Sequence, residues 1–379
     1  MSPAAPVRVP IESLCEAVTS GGTPSRADPS FWEDGVIPWL KTGELKDWYI
    51  DDAEEKITAK ALAQSSAKVF PPNTVLMAMY GDGKTITSLG ILRNEASTNQ
   101  ACCAMIADPQ KTNFLYLFYA LKYHRHELLK LVVAGAQRNL SGGIIKKFAI
   151  NWFSLPTQNR IAEKLRAYDD LIENNRRRMA LLEESARLLY NEWFVRLHFP
   201  GHEHTPIVDG VPQGWQRKAL GQCITLNYGK ALKAEDRVDG DVPVYGSSGI
   251  VGSHDKPLVK GPAIVLGRKG NVGSVYWSSK SFHPIDTVYF VNAESSSLYL
   301  YYALKQMHFI STDVAVPGLN RDFAYSRLLL LPASTILRSF VETVTPIHAQ
   351  LDKLDEMNQK LRAARDLLLP RLMSGELIA

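Results

Sequence analysis

Apolar side chains recur at alternating intervals of three and four along two long segments of this 379-residue chain. Such heptad spacing is typical of helices that pair as a coiled coil. The first segment, from about residue 158 to residue 197, carries the seam positions Leu165, Tyr168, Ile172, Asn175, Met179, Leu182, Ala186, Leu189 and Trp193. Adding 179 to each number gives Val344, Ile347, Leu351, Leu354, Asn358, Leu361, Arg365, Leu368 and Leu372. The pattern therefore predicts two long helices whose seams share one phase.

The two helices are expected to pair antiparallel, because a whole domain separates them along the chain. The polar seam residues suggest the register, since Asn175 opposite Asn358 would let two amides satisfy each other. The same register places Trp193 against Phe340, Ile161 against Leu372, and Tyr168 against Arg365. Two unrelated amphipathic helices are the alternative, which the shared phase disfavours.

A second repeat precedes each helix. Residues 116–122 read YLFYALK and residues 299–305 read YLYYALK, 183 positions later. At the same offset Gly135 matches Gly318 and Arg138 matches Arg321. In each half, strand-like segments (73–79 and 101–106; 263–266 and 288–291) come before a helical one (113–133; 297–310), with Gly-rich turns between them.

These patterns predict an α+β fold with a pseudo-twofold internal repeat. Two similar mixed α/β domains would be separated and joined by two long antiparallel coiled-coil helices. The predicted boundaries are residues 1–153 for the first domain, 154–199 for the first helix, 200–335 for the second domain and 336–379 for the second helix.

Composition narrows the class of protein without naming a function. A formal net charge of +4 permits nucleic-acid binding but does not require it. None of the four cysteines forms a C-x-x-C pair, so buried thiols in a reducing compartment are expected. No apolar run has the length that crosses a bilayer, and the N-terminal sequence shows no secretory signal. A cytoplasmic protein is the expectation.

Catalytic and metal-binding patterns are incomplete. The segment GDGKT at residues 81–85 resembles a phosphate-binding loop, but Ala78 stands where that loop needs its first glycine. His198, His202 and His204 lie in a linker without metal-ligand spacing. The adjacent carboxylates Asp169 and Asp170 are interpreted as charges on an outer helix face. No catalytic residue, metal or cofactor is predicted in this chain.

Short segments that mix glycine with basic, hydroxyl, amide and aromatic residues recur in both halves. Glycine lets a backbone approach a duplex closely, Lys and Arg neutralise phosphates, and Arg, Asn and Gln can pair with base edges. The candidate DNA-binding residues are Arg26, Lys41, Thr42, Lys84, Gln137, Arg138, Lys230, Ser247, Arg268, Lys269, Asn271, Asn320 and Arg321. Arg138 and Arg321 stand out because they coincide at the 183-residue offset. A salt bridge from each to the following helix is the alternative. Lys84 corresponds to Arg268 and Lys269 at an offset near 185.

The chain strongly resembles the specificity subunit of type I restriction–modification systems over nearly its full length. The segments that carry the resemblance include GGTPSR, FWEDGVIPWLKTGEL, GAQRNLSGGIIKKF, LPTQNRIAEKLRAYDDLIENNRRRMALLEESARLLYNEWF, VYGSSGIVGSHDKPL, IVLGRKGNVGSVYW and RAARDLLLPRLMSGEL. Arg365, at a seam position, departs from an apolar seam.

The resemblance implies a non-catalytic subunit with two target-recognition domains, each reading one half of a split double-stranded DNA sequence. It implies helices that set the gap between half-sites and dock two modification (methyltransferase) subunits. Those subunits would bind S-adenosylmethionine and methylate adenine N6, and a restriction (endonuclease/translocase) subunit would cleave unmodified DNA. A protein–protein scaffold without sequence-specific DNA binding is the alternative function. An autonomous methyltransferase is disfavoured by the missing cofactor loop.

Overall fold

The computed structural model describes residues 6–81, 85–132, 139–311 and 318–377. The chain divides into two compact units, the first comprising Met1–Asn174 with Met357–Ala379 and the second Asn175–Glu356. Each unit therefore contains part of both long helices.

The first unit is built from eleven strands and five short helices in the described residues, followed by a long helix. The strands are β1 (Val7–Pro10), β2 (Cys15–Ser20), β3 (Ile37–Leu40), β4 (Trp48–Ile50), β5 (Glu55–Ile57), β6 (Val69–Phe70), β7 (Val75–Ala78), β8 (Leu89–Leu92), β9 (Ala96–Thr98), β10 (Cys102–Ala107) and β11 (Ala149–Trp152). The helices are α1 (Ile11–Leu14), α2 (Ala59–Gln64), α3 (Phe114–Tyr123), α4 (Arg125–Lys130), α5 (Gly142–Lys147) and the long α6 (Leu155–Tyr190), which continues as a π-helix over Asn191–Val195.

The second unit repeats this plan with eleven further strands among its described residues. They are β12 (Ile207–Val208), β13 (Val211–Pro212), β14 (Gln216–Ala219), β15 (Asn227–Tyr228), β16 (Val242–Gly246), β17 (Gly249–His254), β18 (Ala263–Gly267), β19 (Val275–Ser278), β20 (His283–Pro284), β21 (Val288–Val291) and β22 (Leu328–Leu331). Its helices are the end of α6, α7 (Leu220–Cys223), α8 (Leu298–Gln306), α9 (Arg321–Ser326) and the first part of α10 (Ser334–Met373).

Sheet topology shows that the two domains share one fold. In the first unit the order is β2-β10-β7-β8-β4 in one sheet and β5-β3-β9-β6 in another, with β1 paired to β11. In the second unit it is β15-β21-β18-β19 and β17-β16-β20, with β14 paired to β22. The parallel pair β3–β9 has its counterpart in the parallel pair β16–β20. The predicted repeat of two mixed domains is confirmed.

The repeated heptapeptide forms the central helix of each domain core. Asn113 caps α3 by accepting from the N–H groups of Leu115 and Tyr116, and Ser297 caps α8 by accepting from Leu300 N–H. Both helices are buried along their length, because their residues pack among the sheet and a long helix of the same unit. The Tyr116 hydroxyl donates to the Asn151 carbonyl at 2.6 Å, and that of Tyr299 donates to the Leu330 carbonyl. The shared sequence therefore attaches each domain to the strand that leads into its long helix.

The long helices bury the predicted seam. All eighteen seam positions are buried or half-buried, whereas Leu181 and Leu367, outside the seam, are 70% and 73% exposed. In the second unit the rings of Trp193 and Phe340 lie 5.9 Å apart, as the register predicts. In the first unit Ile161 and Leu372 belong to one buried cluster. The helix segments within each unit therefore run antiparallel.

The interpretation of one charged residue beside the seam is wrong. Asp169 does not lie on an outer face: it is 5% exposed, its Oδ1 accepts from Arg365 Nη1, and its Oδ2 accepts from the Tyr119 hydroxyl at 2.8 Å. Arg365 thus forms an ion pair with the neighbour of Tyr168, because position 169 points from the seam toward α3. The placement of Tyr168 against Arg365 stays a prediction. Asn175 and Asn358 are both buried, and the pairing of their amides stays a prediction.

Candidate nucleic-acid interface

Four of the predicted DNA-binding residues converge on one cleft in the second unit. The cleft has a volume of about 430 Å³ and is lined by Tyr228, Arg268, Lys269, Tyr289, Gly318, Leu319, Asn320, Arg321 and Asp322. Three cations and one carboxylate give it a positive balance. Such a cleft suits an anion or the acceptor-rich edge of a base.

Backbone pairing builds this cleft at the end of β18. Lys269 forms an antiparallel bridge with Gly318, and Leu319 N–H donates to the Arg268 carbonyl at 2.8 Å. The Tyr289 hydroxyl donates to the Leu319 carbonyl at 3.1 Å. Burial, with the neighbouring Tyr228, raises the pKa of Tyr289 to about 12, so this hydroxyl remains a donor. The residues of two distant segments are thereby held side by side.

The arginines of the cleft are oriented by neighbouring groups. Arg268 Nη1 donates to the Asp286 carbonyl at 2.9 Å. Its Cζ lies 5.0 Å from the Tyr228 ring centre, and that of Arg321 lies 5.3 Å from the same ring. Asn320 caps α9 by accepting from the N–H groups of Asp322 and Phe323, so its amide has a structural task as well.

The other predicted residues of the second unit are not among those that line this cleft. Lys230 and Asn271 are exposed. Ser247 is only 9% exposed, and its carbonyl accepts from the Ser274 hydroxyl at 2.6 Å. Its hydroxyl accepts from Asn271 N–H at 3.4 Å, so Ser247 holds the turn that follows β18. Its burial disfavours Ser247 as a direct contact to DNA.

In the first unit, Arg26 and Lys41 share one carboxylate. Arg26 Nη1 lies 2.6 Å from Glu55 Oε2, and Lys41 Nζ lies 2.9 Å from Glu55 Oε1. The hydrogen bonds from Arg26 and then from Lys41 hold the pKa of Glu55 below its usual value. Glu54 lies 3.2 Å from the same Lys41 nitrogen. The half-buried Thr42 follows directly, at the end of β3.

Tryptophans position this group in the first unit. Arg26 Cζ lies 3.6 Å from the Trp32 ring centre, and Trp39 Nε1 donates to the Gly22 carbonyl at 2.9 Å. A Cβ at Gly21 would lie 2.0 Å from the Thr98 carbonyl oxygen. Glycine is therefore required at residue 21 for packing inside the domain, rather than for approach to a duplex.

Lys84, Gln137 and Arg138 lie outside the described residues. The flanking residues are described: Tyr80 forms a bridge with Asn139, and Leu140 N–H donates to the Met79 carbonyl at 2.8 Å. The second unit shows the same arrangement: the bridge between Tyr80 and Asn139 corresponds to that between Lys269 and Gly318, and the hydrogen bond from Leu140 to Met79 corresponds to that from Leu319 to Arg268.

The repeat offset is consequently 179 from this bridge onward, not 183. The predicted equivalence of Arg138 with Arg321 is wrong, since Arg321 begins α9 as Gly142 begins α5. Arg268 and Lys269 match Met79 and Tyr80 rather than Lys84. Four residues inserted after the first heptapeptide helix account for the change, and the identity of two arginines at offset 183 was a coincidence.

Sequence patterns missed three residues of these sites. Tyr228, Trp32 and Glu55 were not predicted, although each contacts an arginine that was. The aromatic residues beside the Gly-rich segments were a usable signal. Glu55 was not, because it lies far along the chain from Arg26.

The remaining chemistry of the described residues is modest. They hold no group of three His, Cys, Asp or Glu side chains that could bind a metal ion. Cys15, Cys102 and Cys103 are buried free thiols, as predicted, and burial raises the pKa of each to about 12. Within the same residues, no helix is long and apolar enough to span a membrane.

Comparison with known proteins identifies the family. The profile of the type I restriction modification DNA specificity domain matches residues 7–184 and 212–323. The chain is 25% identical over 398 residues to the type I restriction enzyme MjaIX specificity subunit of Methanocaldococcus jannaschii, covering 95% of this chain and 91% of that one. It is 24% identical over 330 residues to the EcoprrI specificity subunit of Escherichia coli, covering 82% and 73%.

A solved structure supports the fold. The crystal structure of a type I restriction–modification S subunit from M. genitalium superposes with a TM-score of 0.58 at 18% identity, over 97% of this chain and 95% of that chain. The profile covers well over half of the present chain in two separate matches, the first mainly in the first unit and the second within the second unit. The chain belongs to the family of type I restriction–modification specificity subunits, the non-catalytic DNA-recognition subunits of these systems.

Proposed function

We propose that the chain recognises a split double-stranded DNA sequence, one half-site per domain, and presents it to a methyltransferase. The observation that carries the proposal is the placement of basic side chains directly after strands in both domains, of which β2 and β15 are equivalent. Arg26 and Lys41 follow β2 and β3, while Lys230 and the Arg268–Lys269 pair follow β15 and β18. Two readers joined in one chain bind as a bivalent unit, so the geometry between them limits the allowed gap.

The long helices would dock two modification subunits and, where present, restriction subunits. Exposed leucines outside the seam, such as Leu181 and Leu367, offer apolar surface for such contacts. The modification subunits would carry S-adenosylmethionine and transfer its methyl group to adenine N6. This chain would supply recognition and spacing only.

Mapping methylated adenines tests the proposal. DNA from cells that express this chain with its modification subunit should carry methylated adenines in one bipartite motif with a fixed gap. Methylation without a bipartite motif would contradict the assignment of one half-site to each domain.

Substitution within one domain separates the two half-sites. Arg321→Ala should weaken recognition of the second half-site by about 1–3 kcal/mol and leave the first unchanged. Arg327→Ala is the matched control, because Arg327 stacks on Phe323 at 5.7 Å but does not line the cleft. Equal loss at both half-sites would indicate a phosphate or folding role.

Changing helix length tests the spacer role. Insertion of one heptad at equivalent seam positions of both α6 and α10 should change the preferred gap and leave the bases read unchanged. If the bases change instead, the spacer assignment fails.

A protein scaffold without DNA specificity is the second candidate, favoured by the exposed leucines. Gel-shift titrations at several salt concentrations, with and without the modification subunit, distinguish the two functions. A scaffold would show no preference for the mapped motif over a scrambled duplex.

A further inference from the structure

One exposed aromatic ring in the second unit lies against two arginines from different parts of the chain. Tyr228, at the end of β15, is 49% exposed. The Cζ atoms of Arg268 and Arg321 lie 5.0 and 5.3 Å from its ring centre. Both distances fall within the range in which a guanidinium is attracted to an aromatic ring.

Two guanidinium groups that share a cleft repel each other, so their convergence needs a stabilising partner. The Tyr228 ring supplies one, and it is itself supported by the Tyr289 ring at 5.0 Å. The Asp286 carbonyl fixes Arg268 further through a 2.9 Å hydrogen bond. The arginines of this cleft are therefore oriented before any ligand arrives.

This orientation indicates the ligand. A phosphate has oxygens that point in several directions and can bind a guanidinium in many orientations, whereas a guanine edge presents O6 and N7 in one plane to a planar pair of donors. Fixing the plane of a guanidinium is useful mainly for the second task. Lys269, in the same cleft, suits a neighbouring phosphate.

Among the residues that the structure describes, the first unit does not repeat this arrangement. Strand pairing aligns Ser20 with Cys103 and Tyr228 with Tyr289, and a glycine follows both Ser20 and Tyr228. Ser20 is thus the counterpart of Tyr228. Arg26 instead stacks on Trp32, and both lie in the segment that connects β2 to β3. Within the described part of the chain, a tyrosine ring that contacts two arginines of one cleft is therefore found in the second unit.

We propose that Tyr228 is a positioning residue that holds Arg268 and Arg321 in the plane needed to read guanine in the second half-site. The inference rests on the proposed function, since it requires that this cleft faces DNA bases. It predicts that specificity at a guanine depends on a tyrosine that need not touch the base itself.

The test uses the full chain assembled with its modification subunits and duplexes of the mapped motif. Each guanine of the second half-site is replaced in turn by 7-deazaguanine, which lacks the N7 acceptor. Wild-type affinity should fall about tenfold for at least one such guanine. Tyr228→Phe keeps the ring and should keep this penalty. Tyr228→Ala should bind both duplexes within about twofold, and 7-deazaguanine in the first half-site should affect both variants as it affects wild type.

The outcomes separate the inference from the function on which it rests. If Tyr228→Ala keeps the full penalty while Arg268→Ala and Arg321→Ala lose it, the positioning role is wrong and recognition stands. If wild type shows no penalty and both arginine variants bind all duplexes more weakly, the cleft holds phosphate and the inference is overturned. If none of the three variants, with unchanged thermal unfolding, alters sequence preference, the proposed role of the cleft in recognition fails.

Discussion

Removing the charge of Asp169 should destabilise the first unit far more than removing that of its neighbour Asp170. Asp169 and Arg365 are 5% and 9% exposed, and Asp169 also accepts from Tyr119. Burial raises the pKa of Tyr119, so its hydroxyl stays protonated and donates to the carboxylate. Asp169→Asn keeps the shape and leaves the Arg365 charge without its buried partner.

The structure sets the expected size of the effect. Breaking a buried ion pair by removing one partner costs about 3–5 kcal/mol. Arg365 also contacts the exposed Asp366 at 2.8 Å, which compensates part of the loss and favours a value near 3 kcal/mol. For a unit of about 200 residues this lowers Tm by about 6–12 °C. Differential scanning calorimetry of the full chain measures it as a shift in one transition.

Asp170→Asn provides the control, because Asp170 is exposed and pairs with Arg166 at 2.9 Å along the same helix. Exposed pairs of this kind contribute less than about 1 kcal/mol. Replacing both Asp169 and Arg365 by leucine should recover most of the stability, since the pair vanishes together with its desolvation penalty. Equal effects of Asp169→Asn and Asp170→Asn would refute the assignment of a buried pair.

Three further predictions concern pH, charge and packing. Burial and Lys305 lower the pKa of His348 from 6.5 to about 4. As pH falls, His348 is therefore protonated at a higher pH in the unfolded chain than in the folded one. The unfolding free energy of the second unit should therefore drop by about 3 kcal/mol between pH 6.5 and 4, and His348→Gln should flatten this dependence in urea titrations. Glu55→Gln should strengthen nonspecific DNA binding by up to about tenfold in low-salt gel shifts, because Arg26 and Lys41 lose a competing carboxylate. Gly21→Ala should cost the first unit about 3 kcal/mol in chemical denaturation, because its Cβ would overlap the Thr98 carbonyl.

Matched variants make these outcomes decisive. Tyr302→Phe removes the hydroxyl 2.8 Å from His348 without removing the titrating ring, so the pH dependence should persist. Glu54→Gln should change DNA affinity less than Glu55→Gln, since Glu54 contacts only Lys41 of the two cations. Gly43→Ala should be nearly neutral, because a Cβ there meets nothing within 4 Å. Reversal of any of these orders would contradict the corresponding prediction.

The long helices could be predicted from sequence because their periodicity is local. Seam positions such as Leu165 and Leu351 are buried because heptad spacing places them on the one face of the helix that packs against the partner helix. Asp169 could not be placed, because its burial depends on Arg365, which follows it by almost 200 residues, and on α3 in a separate segment. Charged residues outside a seam normally face solvent, and only the tertiary structure reverses that expectation.

The residues of the candidate site could be predicted only in part from sequence. Arg268, Lys269 and Arg321 were found from composition, and the structure brings them together. Their alignment with the first domain was wrong, because a four-residue insertion shifts the repeat between α3 and α5. Glu55 escaped prediction because a single carboxylate carries no sequence signal until a partner lies beside it, whereas Tyr228 lies next to a glycine and could have been predicted from that segment.

The division of the chain has a consequence for biosynthesis. The second unit is a continuous stretch, Asn175–Glu356, whereas the first needs the last segment, Met357–Ala379, to cover residues such as Leu165. During translation the N-terminal domain therefore emerges first and acquires its full core last. At about 5–20 residues per second, synthesis of the residues between α6 and residue 357 lasts at least several seconds. During this time the apolar face of the first part of α6 is not covered by α10. If translation stops before residue 357, the product contains a complete second unit and a first unit without its last segment. A chaperone or protease can recognise such a product by its exposed leucines.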